Sequence, residues 1–536
     1  PAWVESACRE LLAYQVMRPE GVITLLRFFL DVAEGGRSEN AQGMEGEQEA
    51  AVVHLLRHCP ASIPRQSFAA KVLPQLLEVV SVRPTPKTRR QSSMACQALM
   101  QFVGSKGLRP LVKEHLYPTL LGPLRELLEA VGVQDGAPTW SAPLIEELSA
   151  DELATASFPP NVLKCCIETL HRLVDADVGI KIHHPKTCKR DEDETSPLQV
   201  LLDDVEGVFP CLLFLFSAVH QHPSSVQKSL QGLLRLVLER SERGPDLVLQ
   251  LVSPFSADDI LSRLHRRWTL SYEEAGEIVV HARCSAPEGE LDIATPLVHV
   301  LKLIRTSSVP GTIFIQLLGI YVHFLSPKGL EECTSPVYDR ERYFRVFHLL
   351  CHMLEELQTS VLHNASQIIQ AVFLLLVGAS HSQQTEPAAS GDTDSLCHGT
   401  PFSDSSLLQW ENEASEGQST SWTEWHSMLE QPSLGESLRT SDDTETLDLA
   451  LSLLVVLLSG DMKLSTKDQQ DILTIKRLLQ ELSNHKSQEV ADLAQLCHVS
   501  VSSLELLSTT VRAPKSAESG MNPSDEDVLA ELLEEL

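Results

Sequence analysis

Three metal-type side chains, His183, His184 and Cys188, fall within six residues inside the charged stretch KIHHPKTCKRDEDETS. Imidazole and thiolate groups at this spacing could hold zinc if a fourth ligand came from elsewhere, such as Cys165 or Cys166. Structural zinc sites pair their ligands at both ends, and only one end is present here, so a solvated loop is the default reading. The acidic run Asp191-Glu192-Asp193-Glu194, behind Lys189 and Arg190, reads as a solvated charge block. Three tryptophans, Trp410, Trp422 and Trp425, stand in a polar segment. They read first as local packing of a transient helix, and alternatively as a short docking motif that folds on a partner.

The phosphate-cradling GxxxxGK[ST], the dinucleotide GxGxxG, the zinc HExxH, the nucleophile GxSxG and the EF-hand pattern are all missing from the sequence. Acid pairs such as Asp203-Asp204, Glu273-Glu274 and Asp442-Asp443 are abundant, and abundance makes them uninformative without a pocket that perturbs them. Histidines on apolar faces, such as His220, His323 and His348, read as core or boundary residues. Asn364-Ala365-Ser366 is a chance sequon at the start of an apolar helix. No catalytic set and no cofactor site emerges, so the expectation is a protein without enzymatic activity.

A chain of 536 residues is too long for one core, and several cores or one continuous stacked core are expected. Aromatics at 5% suit helical packing through Leu, Val and Ala better than a β-sandwich. A net charge of −30 argues against direct nucleic-acid binding, which needs a basic face to displace counterions. The 12 cysteines are scattered, several inside apolar runs as Cys96, Cys211 and Cys351 are, which fits a reducing compartment.

What must position these groups is a succession of leucine-rich blocks, each about one helix long. Examples are KVLPQLLEVVS (71–81), YPTLLGPLRELLEA (117–130), QKSLQGLLRLVLERS (227–241) and TLDLALSLLVVLLSG (446–460). Apolar residues three and four apart give each block one stripe, and short helices bury such stripes against their sequence neighbours, as solenoids do. Helices are expected over 3–17, 21–33, 51–58, 63–81, 91–103, 108–130, 160–174, 197–220 and 224–241, with two short ones in 244–265. They resume over 291–305, 311–325, 340–358, 361–377, 446–459, 466–482 and 487–508. Breaks at Pro19 and Pro60 follow from the missing N–H and the restricted preceding residue. The Gly-rich 33–47 reads as a flexible loop, and 272–284 fits either a strand or an irregular helix.

The organisation that follows is N-terminal repeats over 1–130, a polar loop over 131–158 holding one short helix near 142–148, and middle repeats over 159–378 with a charged insertion at 175–196. Residues 379–443 are rich in Ser, Thr and acids, bury too little apolar surface to offset ordering entropy, and read as a disordered linker. C-terminal repeats occupy 444–508. A flexible hinge and the start of a further helix, with Ser524 and Asp527 as its capping pair, occupy 509–536. Residue 1 is Pro and the chain stops within DVLAELLEEL, which reads as part of a longer protein. The longest apolar runs, 208–219, 312–325 and 368–377, fall short of the roughly 20 residues a membrane span needs.

The blocks 446–465 and 471–504, the Trp-bearing linker before them, and YPTLLGPLRELLEA and FPPNVLKCCIETLHRLV (158–174) together resemble the transport and Golgi organization protein 6 family. The resemblance covers most of the chain, as the N-terminal and middle part of a larger protein, and rests on helix blocks, with no active-site motif. It implies an all-α, HEAT/armadillo-like helical-repeat solenoid linked to protein secretion and Golgi organisation. Fungal relatives are linked to nuclear import of RNA polymerase II. The family has also been described from hydropathy as a multi-pass membrane protein of the secretory pathway, with which the helix lengths disagree.

The expectation is therefore a non-enzymatic scaffold or adaptor without cofactors. Its partners would be proteins, secretory-pathway or RNA polymerase II components, and any membrane association would not use spanning helices. The implied location is cytoplasmic, Golgi- or membrane-associated, with nucleo-cytoplasmic shuttling as the alternative.

Overall fold

A computed structural model of the chain describes residues 2–35, 42–86, 88–129, 157–158, 160–179, 196–221, 224–252, 260–272, 278–282, 291–325, 336–362, 365–381, 438–439, 441, 443–460 and 464–511. The first helices are α1 (Ala2–Val16), α2 (Gly21–Gly35), α3 (Gln42–Arg57), α4 (Arg65–Ser81), α5 (Arg89–Gly104), α6 (Arg109–His115), α7 (Tyr117–Leu120) and α8 (Gly122–Glu129). Next come α9 (Pro160–Gly179), α10 (Pro197–Glu206), α11 (Phe209–Val219), α12 (Ser225–Arg240), α13 (Gly244–Val252), α14 (Ile260–Arg267) and α15 (Ala294–Leu303). The rest are α16 (Val309–Leu325), α17 (Pro336–Leu357), α18 (Ala365–His381), α19 (Thr444–Ser459), α20 (Thr466–Leu482) and α21 (Gln488–Val511). Short strands β1 (Ser157–Phe158), β2 (Trp268–Tyr272) and β3 (Ile278–Ala282) form an antiparallel sheet in the order β1-β3-β2.

The chain divides into two compact units, Pro1–Leu317 with Val337–Val361, and Leu318–Pro336 with Leu362–Leu536. In the first, α4 packs on α5, α9 on α12 and α5, and α12 on α11 and α15; in the second, α18, α19, α20 and α21 pack on one another. Consecutive helices thus bury their stripes against near neighbours in sequence, the arrangement of a repeat solenoid.

Local chemistry explains individual elements. The Ser224 hydroxyl caps α12 by accepting from Gln227 N at 3.0 Å. Its stripe of Val226, Leu230, Leu233, Leu234 and Val237 recurs every three or four residues and is buried. A capping box opens α20, where Ser465 Oγ accepts from Asp468 N and Asp468 Oδ2 accepts from Ser465 N. At the α1–α2 turn Glu20 has φ 61°, and a Cβ on Gly21 would stand 2.1 Å from the Gln15 carbonyl oxygen, so only glycine fits.

Several expectations need correction. Residues 108–130 are three short helices, because prolines 118 and 123 sit in first turns, where their missing N–H is tolerated and a new helix restarts. The block 197–220 breaks after Glu206, at Gly207. The Gly-rich loop is shorter than expected, since α2 reaches Gly35 and α3 begins at Gln42. The polar loop 131–158 ends in strand β1, and the charged insertion begins within α9, which runs to Gly179. Helix α21 continues to Val511, past the expected hinge at 509. The linker 379–443 is helical at its start, since α18 reaches His381, and Leu438 and Ser441 near its end are fully buried. His348 is exposed.

The ambiguous stretch 272–284 holds β3, which pairs with β2 just before it, Leu270↔Val280, and with β1, Phe158↔Val280. Trp268 anchors this sheet, 3% exposed, its indole N–H donating to Leu127 O at 3.3 Å. Among the described residues no helix is long and apolar enough to cross a membrane. The most apolar run, Phe209–Val219, is a helix of 11 residues whose Phe209, Leu212, Leu213, Phe214, Leu215 and Phe216 are buried.

Candidate partner-binding face

Within the first unit, side-chain contacts link α4 to α9, α9 to α12, α12 to α15 and α15 to α17. Helix α9 carries Glu168 and Arg172 one turn apart, outside its apolar stripe, which orients both toward neighbouring helices. Arg172 Nη1 donates to the carbonyls of Val80 (2.5 Å), Ser81 (3.1 Å) and Val82 (3.2 Å), and Nη2 to Glu168 at 3.2 Å. A guanidinium over the last carbonyls of α4 satisfies acceptors that a helix end leaves open and complements its dipole. Thr169 Oγ1 adds a bond to Ser81 Oγ at 3.3 Å.

The next rung joins α9 to α12. Ser225 Oγ donates to Glu168 Oε1 at 2.7 Å. The His171 ring lies over Gly232, where a Cβ would come within 2.1 Å of Nε2. Burial lowers the His171 pKa below the ordinary histidine value; Asp175 opposes this and Arg172 reinforces it.

From α12 the face passes to α15, where Gln231 Nε2 and His299 Nε2 are 2.8 Å apart. Phe216 of α11 lies between His220 and His299, with ring centroids 6.2 and 6.3 Å away. Burial, followed by the nearby His220 and Lys302, lowers the His299 pKa. The last rung is the pair Lys302–Glu356, joining α15 to α17, whose hydrogen bond holds the Glu356 carboxyl below its usual value. Exposed Phe344 and His348 stand at four-residue intervals before His352 and Glu356, a row that turns by about 120° and rises about 18 Å along α17. Exposed Lys228 lies three residues from both Ser225 and Gln231 on α12.

Exposed beside these contacts are Lys228, His299, Lys302, Glu356 and the aromatic ring of Phe344, on three helices of the first unit. Such a surface suits recognition of a polypeptide across several repeats. Among the described residues no three His, Cys, Asp or Glu side chains are grouped to hold a metal ion.

The candidate ligands His183, His184 and Cys188 and the tryptophans Trp410, Trp422 and Trp425 lie outside the described residues. Of the two cysteines considered as a fourth ligand, Cys165 is exposed. Cys166 is 3% exposed, its thiol donates to Leu120 O at 2.7 Å, and burial raises its pKa; it packs the interface between α9 and α7. Sequence reasoning did not single out Arg172, Gln231, His299, Lys302 or Glu356. The available signal was polar residues at helical spacing beside an apolar stripe, which every surface helix also shows.

Stacked short helices bridged in this way define the class: an armadillo-like helical-repeat protein. A family model described as "Transport and Golgi organization protein 6 homolog, ARM-like repeat" matches residues 16–303, more than half of the chain. The chain belongs to the transport and Golgi organization protein 6 homolog family. Two solved structures are also similar, a crystal complex of SYS-1/POP-1 and a crystal structure of SYS-1. Each shows 12% identity over 92% of this chain and 99% of that chain, with a TM-score of 0.16. At that TM-score neither carries any part of the argument.

Proposed function

We propose that this protein is a non-enzymatic scaffold that binds protein partners along the bridged face of α9, α12, α15 and α17, in the service of secretory transport and Golgi organisation. The observation that carries the reading is the run of contacts Arg172–Glu168–Ser225, Gln231–His299 and Lys302–Glu356, which ties α9, α12, α15 and α17 to one another in turn. Family membership supports the secretory role by its name alone.

Photo-crosslinking in cells tests the proposal, with a photoreactive amino acid at Lys228 and, as control, at exposed Glu114 on α6. Crosslinks to coat and Golgi proteins from position 228, with few from 114, are expected. Recovery of RNA polymerase II subunits would replace the secretory role with nuclear import or assembly of the polymerase. Equal labelling from both positions would remove the face from the account.

A further inference from the structure

Helix α17 carries two histidines one turn apart, His348, which is exposed, and His352, which is half-buried. Their ring centroids stand 4.8 Å apart and the ring planes cross at 80°. Neither imidazole has a hydrogen-bond partner among the described residues, unlike His220, His299 and His485, whose rings bond to Ser217, Gln231 and Ser441. Two carboxylates follow in the next turn. Glu355 is exposed and stands seven residues after His348, on the same side of the helix. Glu356 is hydrogen-bonded to Lys302, which together with a smaller share from His352 holds its carboxyl below the usual value.

We propose that His348 and His352 chelate a divalent transition metal of the kind imidazole prefers, zinc, nickel or copper, with water in the remaining positions. Two histidines at i and i+4 on one helix face are the ligand pair of helical zinc sites. With metal–nitrogen bonds of about 2.0–2.1 Å, two imidazoles in adjacent coordination positions hold their centroids roughly 4.5–5.3 Å apart. The observed separation lies inside that span, and bringing one nitrogen of each ring to the ion needs only side-chain rotation, which is fast at an exposed site. Glu356 stands beside His352 as the carboxylate that orients a ligating ring, and Glu355 adds negative charge. Two protein ligands make this an open site with exchangeable water, not a closed structural one. The α3 pair gives the contrast within the same molecule. His54 and His58 are also exposed and one turn apart, but their rings stack at 14°, and Arg9 and Arg57 are close enough to act on His54. Cations in that setting oppose a bound dication, whereas carboxylates beside the α17 pair attract one. His348 and His352 form none of the rungs, so the ion is held whether or not a partner binds.

The test titrates zinc into the full chain by isothermal calorimetry, beside His348→Ala, His352→Ala and His54→Ala, each first shown to keep the parent's circular dichroism spectrum. His183→Ala is run as well, because the charged insertion holds the other histidine pair with metal-ligand spacing. One zinc ion bound by the parent is expected to be weakened at least about ten-fold in either α17 variant, and to stay within about two-fold in His54→Ala. The same α17-dependent ion should persist in His183→Ala. Unchanged zinc binding in both His348→Ala and His352→Ala would overturn the proposal. An equal loss in His54→Ala would overturn it too, because spacing alone, without the carboxylates of α17, would then account for the ion.

Discussion

Arg172→Ala should loosen the junction between α4 and α9, by an amount the geometry allows to be worked out. The guanidinium reaches three carbonyls at the end of α4 and one carboxylate of its own helix. Val82 is 61% exposed, so water replaces the third bond at little cost. Val80 is fully buried, and its carbonyl loses a charged donor. Glu168 keeps the Ser225 hydroxyl, which limits the penalty on that side. One partly buried charged set of this kind contributes about 2–3 kcal/mol net. Arg172→Lys keeps the attraction of a cation to the helix C-terminus, about 0.3–1 kcal/mol, but not the planar fork.

Native-state hydrogen exchange at the amides of residues 78–84 and of α9 is the suitable assay, since it reads opening at this junction directly. Opening free energies should fall by about 2–3 kcal/mol in the alanine variant, with the lysine variant in between. A change below about 0.5 kcal/mol in the alanine variant would show that solvent satisfies those carbonyls and that the rung has no stabilising role.

Gly232→Ala should cost about 1–3 kcal/mol by driving a methyl into the His171 ring, and His171→Ala in the same chain should recover part of the loss; strict additivity in urea melts would contradict the contact. Leu317→Asp, at a side chain with no exposure, should cost about 4 kcal/mol or more, whereas Leu317→Met should stay within about 1.5 kcal/mol. Full soluble yield and helicity for the aspartate variant would place Leu317 outside a packed interface. Acid should weaken the first unit through His171 and His299, whose folded pKa values lie below their ordinary ones. The unfolded chain then binds more protons, so stability is complete above about pH 6.5 and is lost as pH falls through that value toward the folded pKa. The thermal midpoint should drop between pH 7.5 and 5.5, with a shallower drop in His171→Gln; equal slopes would exclude His171 as a contributor.

Helix existence was legible in the sequence because α4, α12, α19 and α20 each place apolar residues three and four apart and carry recognisable ends. Ser224, Asp443 and Ser465 cap by side chain, and Thr466–Leu482 begins and ends where the pattern does. Breaks inside apolar runs were less legible, since the prolines at 118, 123 and 210 can continue a chain of helices or interrupt one. The sheet was only partly legible, because β3 pairs with the neighbouring β2 but also with Ser157–Phe158, more than a hundred residues earlier. The candidate face was hidden for the same reason. Glu168, Gln231 and Lys302 look like ordinary surface residues until Ser225, His299 and Glu356 are brought beside them.

The most direct test of the scaffold reading is the affinity of the purified chain for the partner captured at position 228, measured for Lys228→Glu/Phe344→Ala and for the control Glu114→Lys. Both altered positions in the double variant are exposed and form none of the rungs, Lys228 lying within a turn of Ser225 and Gln231 and Phe344 lying further toward the start of α17 than Glu356. The account predicts at least about a ten-fold loss for the double variant, roughly 1.4 kcal/mol, and a control within about two-fold of the unaltered protein. Equal affinity of the double variant and the unaltered chain would contradict it.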